Sequence, residues 1–157
     1  MKRLSILGMV LLLVITVAYG QDAYKTLAVY IELLRSDVRA VKAKVIAEDM
    51  DLTEEQESAF WPVYRKFESE LSKINDQKVD LIHDYAHNYD TLTDEKAKEL
   101  VEKSFEIQEK QLKLRKEYFS EFEKALSSVT AAKFIQLEHQ INLLIDLQIA
   151  SELPLIK

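Results

Sequence analysis

Hydrophobic residues after position 20 recur every three or four residues, in four runs separated by short polar stretches. This spacing places each run on one face of a helix. It predicts helices over 23–48, from after Thr53 to about 87, from after Thr93 to about 126, and from after Thr130 onward. The stripes expected to face the core are, helix by helix, Leu27, Tyr30, Leu34, Val38, Val41 and Val45; Phe60, Tyr64, Phe67, Leu71, Ile74, Leu81 and Tyr85; Val101, Phe105, Leu112, Phe119, Phe122 and Leu126; and Phe134, Leu137, Ile141, Leu144 and Leu147.

The distribution of glycine supports the prediction that the fold is purely helical. The chain has two glycines, Gly8 and Gly20, so none follows residue 20. Hairpin turns and phosphate-binding loops rely on glycine for positive φ. Because the connections between the four runs are short, neighbouring helices are expected to be antiparallel. The sequence therefore predicts an all-α fold in which four helices form long antiparallel hairpins within one domain, 21–157.

The second helix contains an internal proline beside the only tryptophan of the chain. Pro62 has no amide hydrogen, and its ring crowds the carbonyl of Ser58, so a kink or local break is expected there. Trp61 lies about a quarter-turn away from the apolar stripe of that helix. The tryptophan is therefore expected either to cover a neighbouring helix or to face a groove.

Threonine precedes three of the four predicted helices. In Leu52-Thr53-Glu54-Glu55-Gln56, the Thr53 hydroxyl can accept from the amide of Gln56, whose side chain can accept in return from the Thr53 amide. This reciprocal arrangement is a capping box. Thr93 and Thr130 are expected to cap in the same way, but lysine follows three residues later and has no acceptor, so half of each box is lost.

The first twenty residues have the features of a secretory signal peptide. A basic start, Met1-Lys2-Arg3, precedes an uncharged apolar run, and small residues end at Gly20. Cleavage is predicted after Gly20. The apolar run is shorter than the roughly 20 residues that a membrane span requires. The sequence therefore predicts an exported, periplasmic protein with no stable membrane span after processing.

Charge and composition restrict the function. Removing residues 1–20 leaves 19 basic and 27 acidic residues, a net charge of −8, which argues against a nucleic-acid partner. The chain has no cysteine. Without a thiol nucleophile or a glycine-rich loop, and with no paired carboxylates placed in a pocket, the sequence does not predict an enzyme. No cofactor is predicted either.

Several short motifs resemble those of one protein family. They are Leu34-Arg35-Ser36-Asp37-Val38-Arg39, Leu52-Thr53-Glu54-Glu55-Gln56, Phe60-Trp61-Pro62-Val63-Tyr64, Ala132-Lys133-Phe134-Ile135-Gln136-Leu137-Glu138, Ile145-Asp146-Leu147-Gln148-Ile149 and Leu153-Pro154-Leu155. Together they resemble the LTxxQ family of exported helical proteins, which contains the Spy and CpxP periplasmic chaperones, and are most similar to an uncharacterised branch of it. The likeness extends from about residue 34 to 155. No second complete LTxxQ motif occurs, because lysine replaces the glutamine after Thr93 and Thr130.

The resemblance implies a helical, dimeric protein that holds unfolded or envelope proteins without ATP. The residues themselves supply large aromatic side chains for such contacts, and Phe60, Trp61, Tyr64 and Phe67 are the predicted client-binding residues. Core packing explains the three stripe residues equally well. We expect that Trp61→Ala weakens client binding more than folding.

Two alternatives stay open from the sequence. His83 and His87 are four residues apart on one helical face, with Asp80 beside them and Asp84 at the edge, a spacing that suits a metal ion. That face points away from the predicted core, and exposed histidines without a metal are the simpler interpretation, so no metal site is predicted. A metal sensor or buffer is the second hypothesis for the function. A structural or adaptor role is the third.

Overall fold

The computed structural model describes residues 41–156. Within this range the chain is helical at 41–50 (α1), Glu54–Asn88 (α2), Asp94–Ala125 (α3) and Ser128–Glu152 (α4), and a 3₁₀ turn at Tyr89–Thr91 follows α2. These residues contain no strand, so the all-α prediction is confirmed. The signal peptide and the first helix up to residue 40 lie outside the described residues.

Contacts between side chains define an up-and-down arrangement of the helices. Tyr118 of α3 donates to Glu70 of α2 at 2.7 Å, and Lys96 contacts Asp84 at 2.8 Å, so α3 runs antiparallel to α2. The helix α4 reverses direction again and lies parallel to α2, because Tyr85 near the end of α2 donates to the carbonyl of Pro154 at 2.7 Å. Short connections of a few residues enforce both reversals.

An aromatic cluster forms the centre of the core. Phe134 of α4 lies 4.3 Å, between ring centroids, from Phe122 of α3. It also lies 5.3 Å from Phe60 and 5.6 Å from Phe67, both of α2, in edge-to-face geometry. These four rings have no accessible surface. Ile46 and Met50 of α1 pack against the same cluster, so α1 closes one side of the three-helix arrangement.

The core stripe predicted for α2 is largely confirmed, and the one predicted for α3 is largely wrong. In α2 the first four predicted residues are buried, Ile74, Leu81 and Tyr85 are half-buried, and Ile82, which was not predicted, is buried. In α3 the buried residues are Leu100, Ile107, Leu114, Tyr118 and Phe122. Of the predicted residues Phe122 alone is buried, Phe119 and Leu126 are partly buried against the core, and Val101, Phe105 and Leu112 are exposed.

The stripes of α1 and α4 also differ from the predictions at their ends. Within the described part of α1 the buried residues are Lys42, Ile46 and Met50, whereas the predicted Val41 is exposed and the predicted Val45 is half-buried. In α4 Phe134 is buried as predicted and Leu137 and Ile141 pack partly against the core, but Leu144 and Leu147 face solvent. The polar residue Glu138 takes a core position, a placement that an apolar pattern does not reveal.

Pro62 does not interrupt α2, which runs continuously from Glu54 to Asn88. The predicted local break is therefore absent, and the predicted kink is not confirmed. Pro62 and Ser58 are both exposed. Water can therefore solvate the Ser58 carbonyl that loses its helical partner, which reduces the cost of the missing hydrogen bond.

Two of the three predicted threonine caps are confirmed. Thr53 accepts from the Gln56 amide at 3.3 Å and donates its own amide to the Gln56 side chain at 3.0 Å, which completes the capping box. Thr93 accepts from the Lys96 amide at 3.2 Å, the half-box expected from lysine. In the turn before Thr53, Asp51 has φ 51°, which lies in the left-handed region. Aspartate and asparagine adopt this region more readily than most other non-glycine residues.

The third cap is corrected. The helix α4 begins three residues earlier than predicted, and its N-cap is Ser127, which accepts from the Thr130 amide at 3.2 Å. Thr130 lies inside the first turn, and its hydroxyl is 3.0 Å from that of Ser127. Serine has the same capping chemistry as threonine, so Ser127 can cap the helix in place of the predicted Thr130.

Substituting Ser127 and Thr130 separately by alanine shows which of them caps α4. Ser127→Ala is expected to lower the free energy of unfolding by about 1 kcal/mol, because it removes the acceptor for the first turn of α4. Thr130→Ala is expected to cost less, because the amide of residue 130 still donates to the Ser127 hydroxyl. Urea denaturation of both variants measures the difference, and an equal or larger cost at Thr130 would contradict the assignment of the cap.

No helix among the described residues is long and apolar enough to cross a membrane.

Candidate protein-binding surface

The residues predicted to bind clients lie mainly in the core of the bundle. Phe60 and Phe67 have no accessible surface and Tyr64 is buried. Trp61 is half-buried, with its ring in edge-to-face contact with Phe60 at 5.1 Å and Tyr64 at 5.3 Å. Trp61 therefore covers the core and keeps part of its surface free. The client-binding role of this set stays a prediction, and three of its members would become accessible only if the bundle opened.

Burial also fixes the protonation of the tyrosines at this level of the bundle. Desolvation, assisted by the neighbouring Glu68 carboxylate, raises the pKa of Tyr64 far above its ordinary value. Desolvation and the hydrogen bond to Glu70 raise the pKa of Tyr118 to about 12. Both phenols are therefore neutral near pH 7, and both serve as packing and hydrogen-bonding groups.

An exposed apolar row on α3, here called the α3 stripe, consists of Val101, Phe105 and Leu112. Their exposed fractions are 45%, 58% and 48%. Positions four and seven residues apart lie within about 40° of one another around a helix, so the three side chains share one face. The buried residues of α3 point roughly 80–160° away from the centre of this row. α3 therefore carries two apolar rows, of which one packs in the core and the other meets solvent.

Charged pairs flank the α3 stripe. Lys98 lies 3.7 Å from Glu102, and Lys113 lies 3.8 Å from Glu117, in each case one helical turn apart on the exposed surface. Such exposed pairs stabilise a helix by only a few tenths of a kcal/mol. Their larger effect is to keep the surface around an apolar row hydrated.

A second group of exposed apolar side chains lies on the C-terminal half of α4. Leu143, Leu144 and Leu147 are all more than half exposed. Leu144 and Leu147 were predicted to be core residues, so in α4, as in α3, a continuation of the predicted stripe reaches solvent. Single exposed leucines are ordinary on protein surfaces, but exposed rows on two helices are a feature of surfaces that bind other proteins.

The histidines predicted as an alternative metal site lie on the surface. His83 and His87 of α2 are exposed. Asp84, at the edge of that face, contacts Lys96 at 2.8 Å and Lys103 at 3.5 Å, and these cations hold its pKa below the ordinary value. Across residues 41–156 no group of three or more histidine, aspartate or glutamate side chains is arranged to hold a metal ion.

His139 was predicted to be solvated, and it is exposed. Its Nδ1 atom lies 2.8 Å from Nη1 of Arg115. Because arginine can only donate, Nδ1 accepts and the imidazole proton lies on Nε2 when the ring is neutral.

Sequence reasoning located the apolar side chains of the α3 stripe but assigned them to the core. A signal for the correct assignment exists in the sequence. Leu100, Ile107 and Leu114 form a second row at seven-residue spacing on the same helix. Two apolar rows about 100° or more apart cannot both face one neighbouring helix, so the second row marks α3 as a helix with a candidate exposed apolar face.

The fold defines the class of the protein: an all-α, up-and-down helical bundle with exposed apolar rows on two helices. Comparison with protein-family models, with curated proteins and with solved structures finds no match for this chain. The resemblance to the LTxxQ family therefore stays a prediction from short motifs.

Proposed function

We propose that this protein binds other proteins reversibly through exposed apolar surface, and that ATP-independent holding of unfolded chains in the periplasm is its leading activity. The observation that carries the proposal is the α3 stripe, three large apolar side chains that are about half exposed along one face of a helix. An unfolded chain exposes apolar side chains that can pack against this surface, so that both are removed from water.

The dimensions of the α3 stripe suit a short extended segment. Val101 to Leu112 covers about 16 Å along the helix axis at ~1.5 Å per residue. An extended peptide covers that length with about five residues. Alternate side chains of such a segment would point toward the helix, so two or three apolar contacts form at once.

The expected strength of one contact is low, which suits reversible holding. Complete burial of one such side chain contributes about 1.5–3 kcal/mol, and these are already half-buried. Three of them would contribute roughly 3 kcal/mol before the cost of ordering the client. Useful affinity would then require several apolar segments per client, or two copies of the protein acting together. Homodimerisation is part of the proposal for this reason.

Binding of this kind needs no nucleotide, cofactor or metal. Export follows from the predicted signal peptide, which places the protein where unfolded envelope proteins occur and ATP is absent. The charged pairs beside the α3 stripe would keep a complex with an apolar client in solution.

Suppression of aggregation tests the proposal. The chain from residue 21 is mixed with a thermally unfolding test protein, and light scattering records aggregation. The double variant Phe105→Ser/Leu112→Ser is expected to require at least about fivefold more protein for half-maximal suppression, because it removes apolar contact worth more than about 1 kcal/mol. Its melting temperature is expected to stay within a few degrees of the parent, since both residues are exposed.

Matched controls come from other exposed apolar residues. Val129→Ser and Leu155→Ser change side chains that are even more exposed but lie outside the α3 stripe. They are expected to suppress aggregation like the parent. If all variants act alike, the α3 stripe is not the binding surface, and if the parent chain suppresses nothing, the proposed activity itself is wrong.

A further inference from the structure

A groove lies between α2 and α4, next to the aromatic cluster. Its volume is about 140 Å³, and its walls include Leu71 and Ile82 of α2 and Glu138 and Ile149 of α4. Lys42 of α1 also lines it. The two residues named on each wall are eleven positions apart. The groove is therefore about 16 Å long at ~1.5 Å of helix rise per residue.

The described part of α1 lies at one end of this groove. Lys42 lies 2.6 Å from Glu68 of α2 and 3.6 Å from Glu138 of α4. At the other end of α1, Lys133 near the start of α4 donates to the Met50 carbonyl at 2.8 Å. α1 therefore runs antiparallel to α4, and the chain that precedes residue 41 is directed along the groove.

The chain before α1 is long enough to fill the groove. Residues 21–40 lie outside the described residues, and the sequence predicts a helix over 23–48. At the same rise per residue, about eleven residues cover 16 Å, which corresponds to 31–41. A candidate occupant of the right length is thus part of the same chain.

The described part of α1 also indicates which side of this segment would face the groove. Arg35 is seven residues before the buried Lys42, so the two lie within about 20° of each other around a regular helix. Arg39, one turn after Arg35, lies on the same side. Leu34 of the predicted apolar stripe is instead seven residues before Val41, which is exposed. A regular continuation of α1 would therefore turn its two arginines toward the groove.

Charges of opposite sign are spaced to match along α1 and α2. Asp76 lies eight residues after Glu68 on α2. Measured from the Lys42–Glu68 contact, Asp76 and Arg35 are displaced by about 12 and 10.5 Å, in the same direction because the helices are antiparallel. We propose that residues 31–40 occupy the groove as a continuation of α1 and that Arg35 forms a salt bridge with Asp76. The occupant is a segment of the chain itself, so the proposal does not depend on client binding.

Cross-linking of introduced thiols tests the position of the segment. The chain has no cysteine, so Ser36→Cys/Ser72→Cys carries one pair of thiols and keeps both members of the proposed salt bridge. Ser72 lines the groove. The variant, on the chain from residue 21, is treated at low protein concentration with a short bismaleimide. We expect an intramolecular product at several times the yield of Ser36→Cys/Lys113→Cys, because thiols on adjacent helices have a high effective concentration.

Lys113 provides a matched position on another side of the bundle. It is an exposed residue of α3. Lys110, one turn earlier, contacts Gln77 of α2 at 2.7 Å, so position 113 is at a similar height along the bundle. Mass spectrometry of the product distinguishes a link within one chain from a link between two chains.

Reversal of charge tests the partner of Arg35. Arg35→Glu is expected to lower the melting temperature by a few degrees, because it brings like charges together. Arg35→Glu/Asp76→Arg is expected to recover most of the loss. Arg35→Glu/Glu106→Arg makes the same change in net charge at an exposed residue of α3 and is expected to recover little.

Each contrary result would overturn the proposal. Equal yields from the two thiol pairs would leave the groove to another partner, and a product with the mass of two chains would assign it to a second copy. Equal recovery by Asp76→Arg and Glu106→Arg would exclude the salt bridge. If Arg35→Glu does not fold, the cross-linking comparison still decides the position of the segment. The aggregation experiment is unaffected, because residues 31–40 and the α3 stripe share no residue.

Discussion

Replacing Lys42 by methionine is expected to lower the free energy of unfolding by about 3–5 kcal/mol. Lys42 is 4% exposed, and its ammonium lies 3.6 Å from the buried Glu138 carboxylate. It also contacts Glu68 and lies over the Phe67 ring, 5.7 Å from its centroid. Methionine fills a similar volume, but it removes the ammonium that lies 3.6 Å from the buried Glu138 carboxylate. Urea denaturation monitored by circular dichroism measures the loss.

Two comparisons show whether charge causes the loss. Lys44→Met removes the neighbouring exposed lysine, 74% exposed in its pair with Glu48, and is expected to cost less than about 0.5 kcal/mol. The double variant Lys42→Met/Glu138→Leu removes both charges and is expected to regain most of the lost stability. If the double variant is as unstable as Lys42→Met alone, packing rather than the unpaired charge is responsible.

The loss caused by Lys42→Met is expected to shrink as the pH falls. Lys42 lowers the pKa of Glu138, whereas burial raises it. Without Lys42 the folded-state pKa rises further above the unfolded value. Stability contributed by a raised carboxyl pKa is present below the unfolded pKa and is lost as pH rises through the folded pKa. The difference between the variant and the parent should therefore be larger at pH 7 than at pH 4.5.

Phe60→Ala is expected to lower the free energy of unfolding by about 3–5 kcal/mol, because it leaves a cavity among aromatic rings. The Phe60 ring lies 5.2 Å from Phe122 and 5.3 Å from Phe134, and its side chain is fully buried. Phe105→Ala makes the same chemical change on the exposed α3 stripe and is expected to cost less than about 1 kcal/mol. Denaturation of the two variants in parallel measures the contrast.

For client binding, Phe105→Ala should have a larger effect than Phe60→Ala. Phe105→Ala is expected to weaken suppression of aggregation, whereas Phe60→Ala, at a temperature where it is still folded, is expected to retain it. If the two variants lose similar stability, the placement of Phe105 outside the core is wrong. If Phe60→Ala abolishes client binding while folded, the binding surface includes the aromatic cluster, as the sequence predicted.

The fold class followed from the sequence because its signals are local. Apolar spacing and the absence of glycine after residue 20 predicted helices, and Thr53 and Thr93 marked two starts correctly. Helix length and capping depend on nearby residues. The start of α4 was misplaced because Ser127 and Thr130 have equivalent chemistry, and only packing decides between them.

The site was harder to predict, because exposure is a property of the assembled helices. A helix with one apolar row reveals its core face, but α3 has two rows, and the row at Leu100, Ile107 and Leu114 was overlooked. The aromatic cluster was recognised as suitable for binding or packing, and sequence could not choose between them. The buried charge at Glu138 was missed for a physical reason: a glutamate in a helix is usually solvated, and its burial depends on Lys42 from a distant segment.

The central claim, that clients contact the α3 stripe of a closed bundle, is tested most directly by site-specific photo-cross-linking. A photo-reactive phenylalanine analogue replaces Phe105 in one sample and the exposed Leu155, which lies outside the α3 stripe, in another. Both samples are irradiated with reduced, carboxymethylated lactalbumin as a permanently unfolded client. We predict a cross-linked product from position 105 at several times the yield from position 155. Equal yields, or none from position 105 under conditions where aggregation is suppressed, would contradict the account.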